Sequence, residues 1–156
     1  MPKVSSSTGL SVRELSPFEG AWKITGKAYD SPFGSNATVS AYETFEWLSG
    51  EQFLIHHLDG RFDGGPLACI EVLGRDPAHG AFSAHAFYQD GSANVWRLNR
   101  RSTGWVMAGE WSADDQTFAV RCTIVFDDRA HRRGIWEYST DGTNWRVFWQ
   151  TEAVRV

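Results

Sequence analysis

The chain has 156 residues, a formal charge of −4, and 42% hydrophobic against 22% charged residues. That is the length of one domain, with enough apolar material for a core that needs no disulfides or metals, and it excludes a disordered chain. The acidic balance offers no field for a nucleic-acid backbone, no apolar run approaches the ~20 residues of a membrane helix, and the N-terminus lacks the apolar stretch of a signal peptide.

Residues 1–16 read as a flexible Ser-rich tail with one short helical turn over 11–15, ended by Pro17. Residues 17–156 read as a single β-barrel domain. From Gly20 onward, runs rich in Trp, Phe, Val, Ile, Tyr and Thr alternate with turn signals about every ten residues. The spacing predicts ten strands: 20–29, 37–48, 52–62, 67–75, 81–88, 93–100, 104–112, 117–127, 132–139 and 145–154. No crossover helix separates them, so neighbours are antiparallel. Uniformly short connections favour closure into an up-and-down barrel, which removes both sheet edges. A barrel of eight to ten strands leaves room for a small ligand.

Tight turns set the expected register. A two-residue turn at Asp114-Asp115 opposes Trp111 to Phe118, Gly109 to Val120, Met107 to Cys122 and Trp105 to Ile124, a wholly apolar face. A hairpin at Asp141-Gly142 opposes Tyr138 to Trp145, Trp136 to Val147 and Glu137 to Arg146. A hairpin at Asp90-Gly91 sets Trp96 opposite His85, with Leu98 and Phe87 on the same inward face. A turn over 77–80 pairs Asp76 with Ala81 and turns Ala68, Ile70 and Val72 inward, Cys69 and Glu71 outward.

For residues 42–62 two registers remain. With two-residue turns at Gly64-Gly65 and Ser49-Gly50, the inward set is Tyr42, Thr44, Glu46, Phe53, Ile55, His57 and Asp59. A bulge that shifts the parity brings Phe45, Trp47, Leu54, His56 and Leu58 inward instead. The turn count favours the first and the apolar count the second; the candidate residues below follow the first.

Gly20-Ala21-Trp22 with Gly26 resembles the first-strand signature of lipocalin-like (calycin) barrels, in which the Gly lets the chain enter the barrel base and the Trp plugs it. The segments Trp47-Leu48-Ser49-Gly50-Glu51-Gln52-Phe53-Leu54 and Val72-Leu73-Gly74-Arg75-Asp76 resemble a bacterial family of lipocalin-like domains with no assigned function. This chain has Gly50-Glu51 where that family usually doubles the Gly, and Gly74-Arg75-Asp76 where it shows Gly-Tyr-Asp. The resemblance implies the fold and carries over no catalytic residue. Nitrobindin barrels share the Gly-x-Trp opening, but their Tyr-Pro motif is missing here, which disfavours haem.

The chemistry expected is that of a barrel interior. Trp96, Trp136, Tyr138, Phe87 and Tyr42 are the candidate ligand-binding residues, because rigid rings suit a planar or apolar guest. His57 and His85, with Glu46 as a carboxylate partner, are the candidate catalytic residues for proton transfer of the isomerase, cyclase or hydratase type. A barrel filled by its own side chains is the third reading. His56 and His57 are adjacent and point to opposite faces, and Cys69 and Cys122 have no metal spacing, so no metal site and no cofactor are expected. The two thiols read as reduced core residues of a cytoplasmic protein. Arg129, His131, Arg132 and Arg133 read as a solvated basic turn. The partners expected are a small apolar or aromatic ligand and, through Phe82, Tyr88 and Phe148 on the outer face, a second copy of the chain.

Overall fold

A computed structural model describes residues 10–156 of the chain. The tail expected over the first nine residues lies outside the described residues. The ten strands are β1 (Gly20–Ala28), β2 (Ala37–Trp47), β3 (Leu54–Phe62), β4 (Gly65–Asp76), β5 (Ala81–Tyr88), β6 (Ala93–Arg101), β7 (Gly104–Ala113), β8 (Gln116–Phe126), β9 (His131–Ser139) and β10 (Arg146–Arg155). Each pairs antiparallel with the next, and β10 returns to β1 to close the barrel. The expected architecture is the observed one, with strand ends within about two residues of expectation. Among the described residues, no helix is long and apolar enough to cross a membrane.

One end of the barrel is sealed by the 3-10 helix Val12–Phe18, which runs through Pro17 rather than stopping before it. Ser11 caps it, and Val12, Leu15 and Phe18 are driven into the barrel. Trp22 is fully buried beside it and its indole donates to the Phe18 carbonyl at 2.8 Å. Arg155 stacks on Trp22 at 4.1 Å and donates to the carbonyls of Pro17, Glu19 and Arg129, tying the last strand to the plug. Gly20, at φ +115°, takes a backbone conformation that a side chain would strain, and lets the chain turn from plug into wall. At the other end, Phe33 in the β1–β2 connection packs across the mouth against Trp111, Phe118, Tyr138 and Phe148.

The register divides the molecule. Between β7 and β8 all four expected pairs are present, because Asp114 and Asp115 (φ 49° and 60°) form the expected two-residue turn. The β4–β5 pairing of Asp76 with Ala81 also holds. At β5–β6 the turn has three residues, not two. Tyr88 and Ser92 are hydrogen-bonded across Gln89, Asp90 and Gly91, with Gly91 at φ 86°. Ala84, not His85, therefore faces Trp96, and Phe82 faces Leu98.

That single extra residue inverts β5, β4, β3 and β2 relative to the first expected register. His85 and Phe87 are exposed, as are Tyr42, Glu46 and His57. Cys69, Glu71 and Leu73 turn inward in place of Ala68, Ile70 and Val72. The second register, with Phe45, Leu54, His56 and Leu58 inward, is the observed one. The turn before β4 is Asp63-Gly64 rather than Gly64-Gly65, and the β2–β3 connection is longer than two residues. Both changes preserve parity.

A second correction falls at β9–β10. The connection is longer than a two-residue turn, with the Asp141 carboxylate accepting from the backbone N–H groups of Thr143 and Asn144. Tyr138 pairs with Arg146, and Glu137 binds Arg121 at 2.8 Å rather than Arg146. Trp145 lies outside the strand beneath the Arg121 guanidinium. A register shift between Val147 and Trp149 brings both Phe148 and Trp149 to the interior. Phe82, Tyr88 and Phe148 thus pack inside, so the outer apolar patch expected from them is absent. The outward apolar residues include instead Tyr42, Ile70, Phe87 and Val95, with Ile70 and Phe87 cross-strand neighbours.

Candidate functional site

The barrel encloses a cavity of about 190 Å³. Its walls follow from the alternation of β6, β7 and β9, which turns Trp96, Trp111 and Trp136 inward, and from the register shift in β10, which adds Trp149. The rings brace one another. Trp96 meets Trp136 edge-on at 5.7 Å, and Trp136 stacks on Trp149 at 5.5 Å. Trp96 donates its indole N–H to the Tyr88 hydroxyl at 2.8 Å. Burial pushes the Tyr88 phenol well above its ordinary range, so it stays protonated and keeps a proton to donate.

The floor, next to the 3-10 plug, is polar. His56 is buried and stacked on Phe45 at 4.2 Å with 8° between planes. Its Nε2 lies 2.7 Å from Glu43 Oε2 and its Nδ1 lies 3.1 Å from Glu71 Oε1. Both ring nitrogens face carboxylate oxygens. A neutral imidazole carries one N–H, so both contacts are hydrogen bonds only when a second proton is shared among the three groups. Cys69 Sγ sits 3.9 Å from the same Glu71 oxygen. Arg132 reaches Glu43 Oε1 from β9 and lies over the Trp22 ring at 4.8 Å. The floor therefore brings two carboxyl groups, an imidazole and a guanidinium into mutual contact, the pairing that buried polar groups require.

Burial, with Arg155 nearby, pushes the Arg132 guanidinium down to about 9, which leaves it a cation at neutral pH. Burial and the Glu71 carboxylate hold the Cys69 thiol far above its ordinary range, and burial does the same to Cys122. Neither is a thiolate nucleophile. Two buried donors on cavity-lining residues, Arg132 Nε and Trp149 Nε1, have no acceptor among the described residues. Gly134 lines the same chamber; a Cβ there would come within 2.7 Å of Thr151 Oγ1.

Towards the mouth, a second cavity of about 320 Å³ lies under Phe33 and shares Leu67, Trp111 and Trp149 with the inner one. Those three side chains form a neck between an inner chamber and an outer vestibule.

Of the residues singled out in the sequence, Trp96 and Trp136 line the chamber. Tyr138 packs nearer the mouth against Phe33, Phe118 and Phe148 and does not line it. His57, His85, Glu46, Tyr42 and Phe87 are on the outside and meet neither the chamber nor one another's expected partners. The floor residues Glu43, Glu71, Cys69 and Arg132 were not among the expected site. Arg132 carried a readable signal: period-two alternation from Trp136 through Gly134 puts it inward. His56 and its partners required the correct register of three strands at once.

Comparison with known proteins fits this architecture. The family model described as "Protein of unknown function (DUF1579)" matches residues 12–144, and the chain belongs to that family. Among solved structures, the S-type phycobiliprotein lyase CPES from Guillardia theta superposes with a TM-score of 0.56 at 14% identity, over 94% of this chain and 93% of that one. The EF1p2_mFAP2b barrel bound to DFHBI superposes with a TM-score of 0.50 at 11% identity, over 93% and 98%. At these identities the likeness is one of fold. No curated protein gives a significant match.

Proposed function

We propose that this DUF1579 member binds a small, flat, largely apolar molecule inside the barrel, ring between the tryptophans and a polar group towards the floor. The observation that carries this reading is the chamber inside the barrel, with aromatic walls, a polar floor and two buried donors lacking acceptors. An apolar cavity of about 150 Å³ already admits benzene, so about 190 Å³ suits one ring system. A longer guest extends through the neck into the vestibule. A hydrogen-bond acceptor on the guest would satisfy Arg132 Nε or Trp149 Nε1, which otherwise stay desolvated and unpaired. EF1p2_mFAP2b, of similar fold, is bound to DFHBI, which is in keeping with a small-molecule ligand.

The proton-transfer reading finds less support. His56 replaces His57 and His85 as the only inward histidine among the described residues. Both of its ring nitrogens are engaged by carboxylates, which leaves no free nitrogen to act as a base on a guest.

A native mass spectrum of the purified protein against its denatured mass, followed by calorimetric titration of the emptied protein with indole, tests the reading. One site per chain is expected, and Leu67→Trp, which narrows the neck, abolishes it with the fold intact. No retained mass together with no indole binding in wild type would favour the self-filled barrel.

A further inference from the structure

The polar floor contains a second kind of site. His56 on β3 and Cys69 and Glu71 on β4 bring an imidazole nitrogen, a thiol sulfur and a carboxylate oxygen within 4.8 Å of one another, below the chamber. We propose that His56 Nδ1, Cys69 Sγ and Glu71 Oε1 form a three-ligand site for a single borderline divalent metal ion, Zn²⁺ in the first instance, with its fourth position open to the chamber.

Four observations support it. The first is shape. A tetrahedral Zn²⁺ with Zn–N and Zn–O near 2.1 Å and Zn–S near 2.3 Å has N···O and O···S edges of about 3.4 and 3.6 Å. The separations found are 3.1 Å and 3.9 Å, and all three donor atoms lie within 4.8 Å of one another, so they converge on one common point. The second is donor type: one imidazole, one sulfur and one carboxylate match a borderline ion rather than Mg²⁺ or Ca²⁺, which take all-oxygen sets.

The third is the outer shell. Metal-binding histidines usually direct their other nitrogen to a carboxylate, which fixes the ring and raises its basicity. Here His56 Nε2 meets Glu43 at 2.7 Å, and Glu43 is in turn held by Arg132. The fourth is setting. All three donors are among the residues that line the chamber, so an ion they hold is reached from it.

No linear motif announces this site. The ligands come from two strands, Cys69 and Glu71 two residues apart on one face, and His56 directly across from Glu71 in the register. The site does not depend on the guest proposed above. It is tested with metal alone, and indole titration in the presence of a chelator tests the guest separately.

The test is titration of the full reduced chain with Co²⁺, followed by Zn²⁺ competition. One Co²⁺ per chain is expected, with thiolate-to-cobalt charge-transfer absorption and intense visible bands of a tetrahedral ion, both erased by Zn²⁺. Cys69→Ser removes the charge-transfer absorption while circular dichroism and the melting curve show a folded barrel. Cys122→Ser, which changes the other thiol of the chamber, retains it. Glu43→Gln keeps the spectrum and weakens affinity roughly 10–100-fold, as loss of an outer-shell partner does. The site is refuted if folded wild type shows no thiolate–cobalt absorption. It is equally refuted if Cys69→Ser retains that absorption, or if Cys122→Ser alone abolishes it.

Discussion

The two sides of the barrel interior are made of different chemistry. β6 to β10 supply Trp96, Trp105, Trp111, Trp136 and Trp149, whereas β2 to β4 supply Glu43, His56, Cys69 and Glu71. Arg132 reaches across from β9 to Glu43 and joins them. The aromatic side is held by area and shape, which degrade gradually when a ring is lost. The polar side is held by charge balance, which fails at once when one member is removed. Substitutions on the two sides should therefore leave different signatures.

The largest effect is expected at the junction. Arg132→Met takes the guanidinium from buried Glu43, leaving it only the His56 contact, and should cost about 3–5 kcal/mol in urea unfolding. Adding Glu43→Leu should restore most of that loss, since a buried ion pair replaced by apolar groups is often neutral. A single-variant cost under about 1 kcal/mol would mean that the pair is not a balanced one. On the aromatic side, Trp136→Ala should cost about 3 kcal/mol, at the low end for a large ring because Trp136 already borders a void. It should also widen the chamber, so naphthalene-sized probes bind where wild type prefers a single ring. A loss of stability without any change in guest size would remove Trp136 from the wall.

How much of this is legible in the sequence depends on the turn. Strand number, order and closure follow from alternation and turn spacing, and β7–β8 pairs as expected because Asp114-Asp115 admits one turn type. At Asp90-Gly91 the same kind of signal hides a three-residue loop, with Gly91 rather than the pair taking the left-handed position. One residue there reverses every side chain on the four strands before it, which is why His57, His85, Tyr42, Glu46 and Phe87 point to solvent. Arg132 was legible by parity, but a basic cluster between strands reads first as a turn. The Glu43–His56–Glu71 contact joins three strands, and no property of any one of them discloses it.

Two smaller effects sharpen the contrast between inside and outside. The Asp141 carboxyl is held well below the usual range by hydrogen bonds from the backbone of Asn144 and Thr143. Its contribution to stability is present above the ordinary Asp pKa of about 3.9 and is lost as pH falls towards the lower folded-state value. NMR titration should show this carboxyl still ionised when other exposed aspartates have protonated, and Asp141→Asn should flatten the acid limb of the stability profile. His57→Ala and His85→Ala, on the outer face, should each change stability by no more than about 0.5 kcal/mol and leave indole binding unaltered. Loss of binding in either variant would return that histidine to the interior.

The eight tryptophans provide the most direct measurement. Trp96, Trp111, Trp136 and Trp149 line the chamber, whereas Trp22, Trp47, Trp105 and Trp145 do not. In a ¹H–¹⁵N spectrum of the indole N–H groups titrated with unlabelled indole, a guest in the chamber shifts the first four signals along one saturating curve and leaves the other four in place. Shifts spread over all eight, or confined to Trp47 and Trp145, would place the guest outside and contradict a binding chamber.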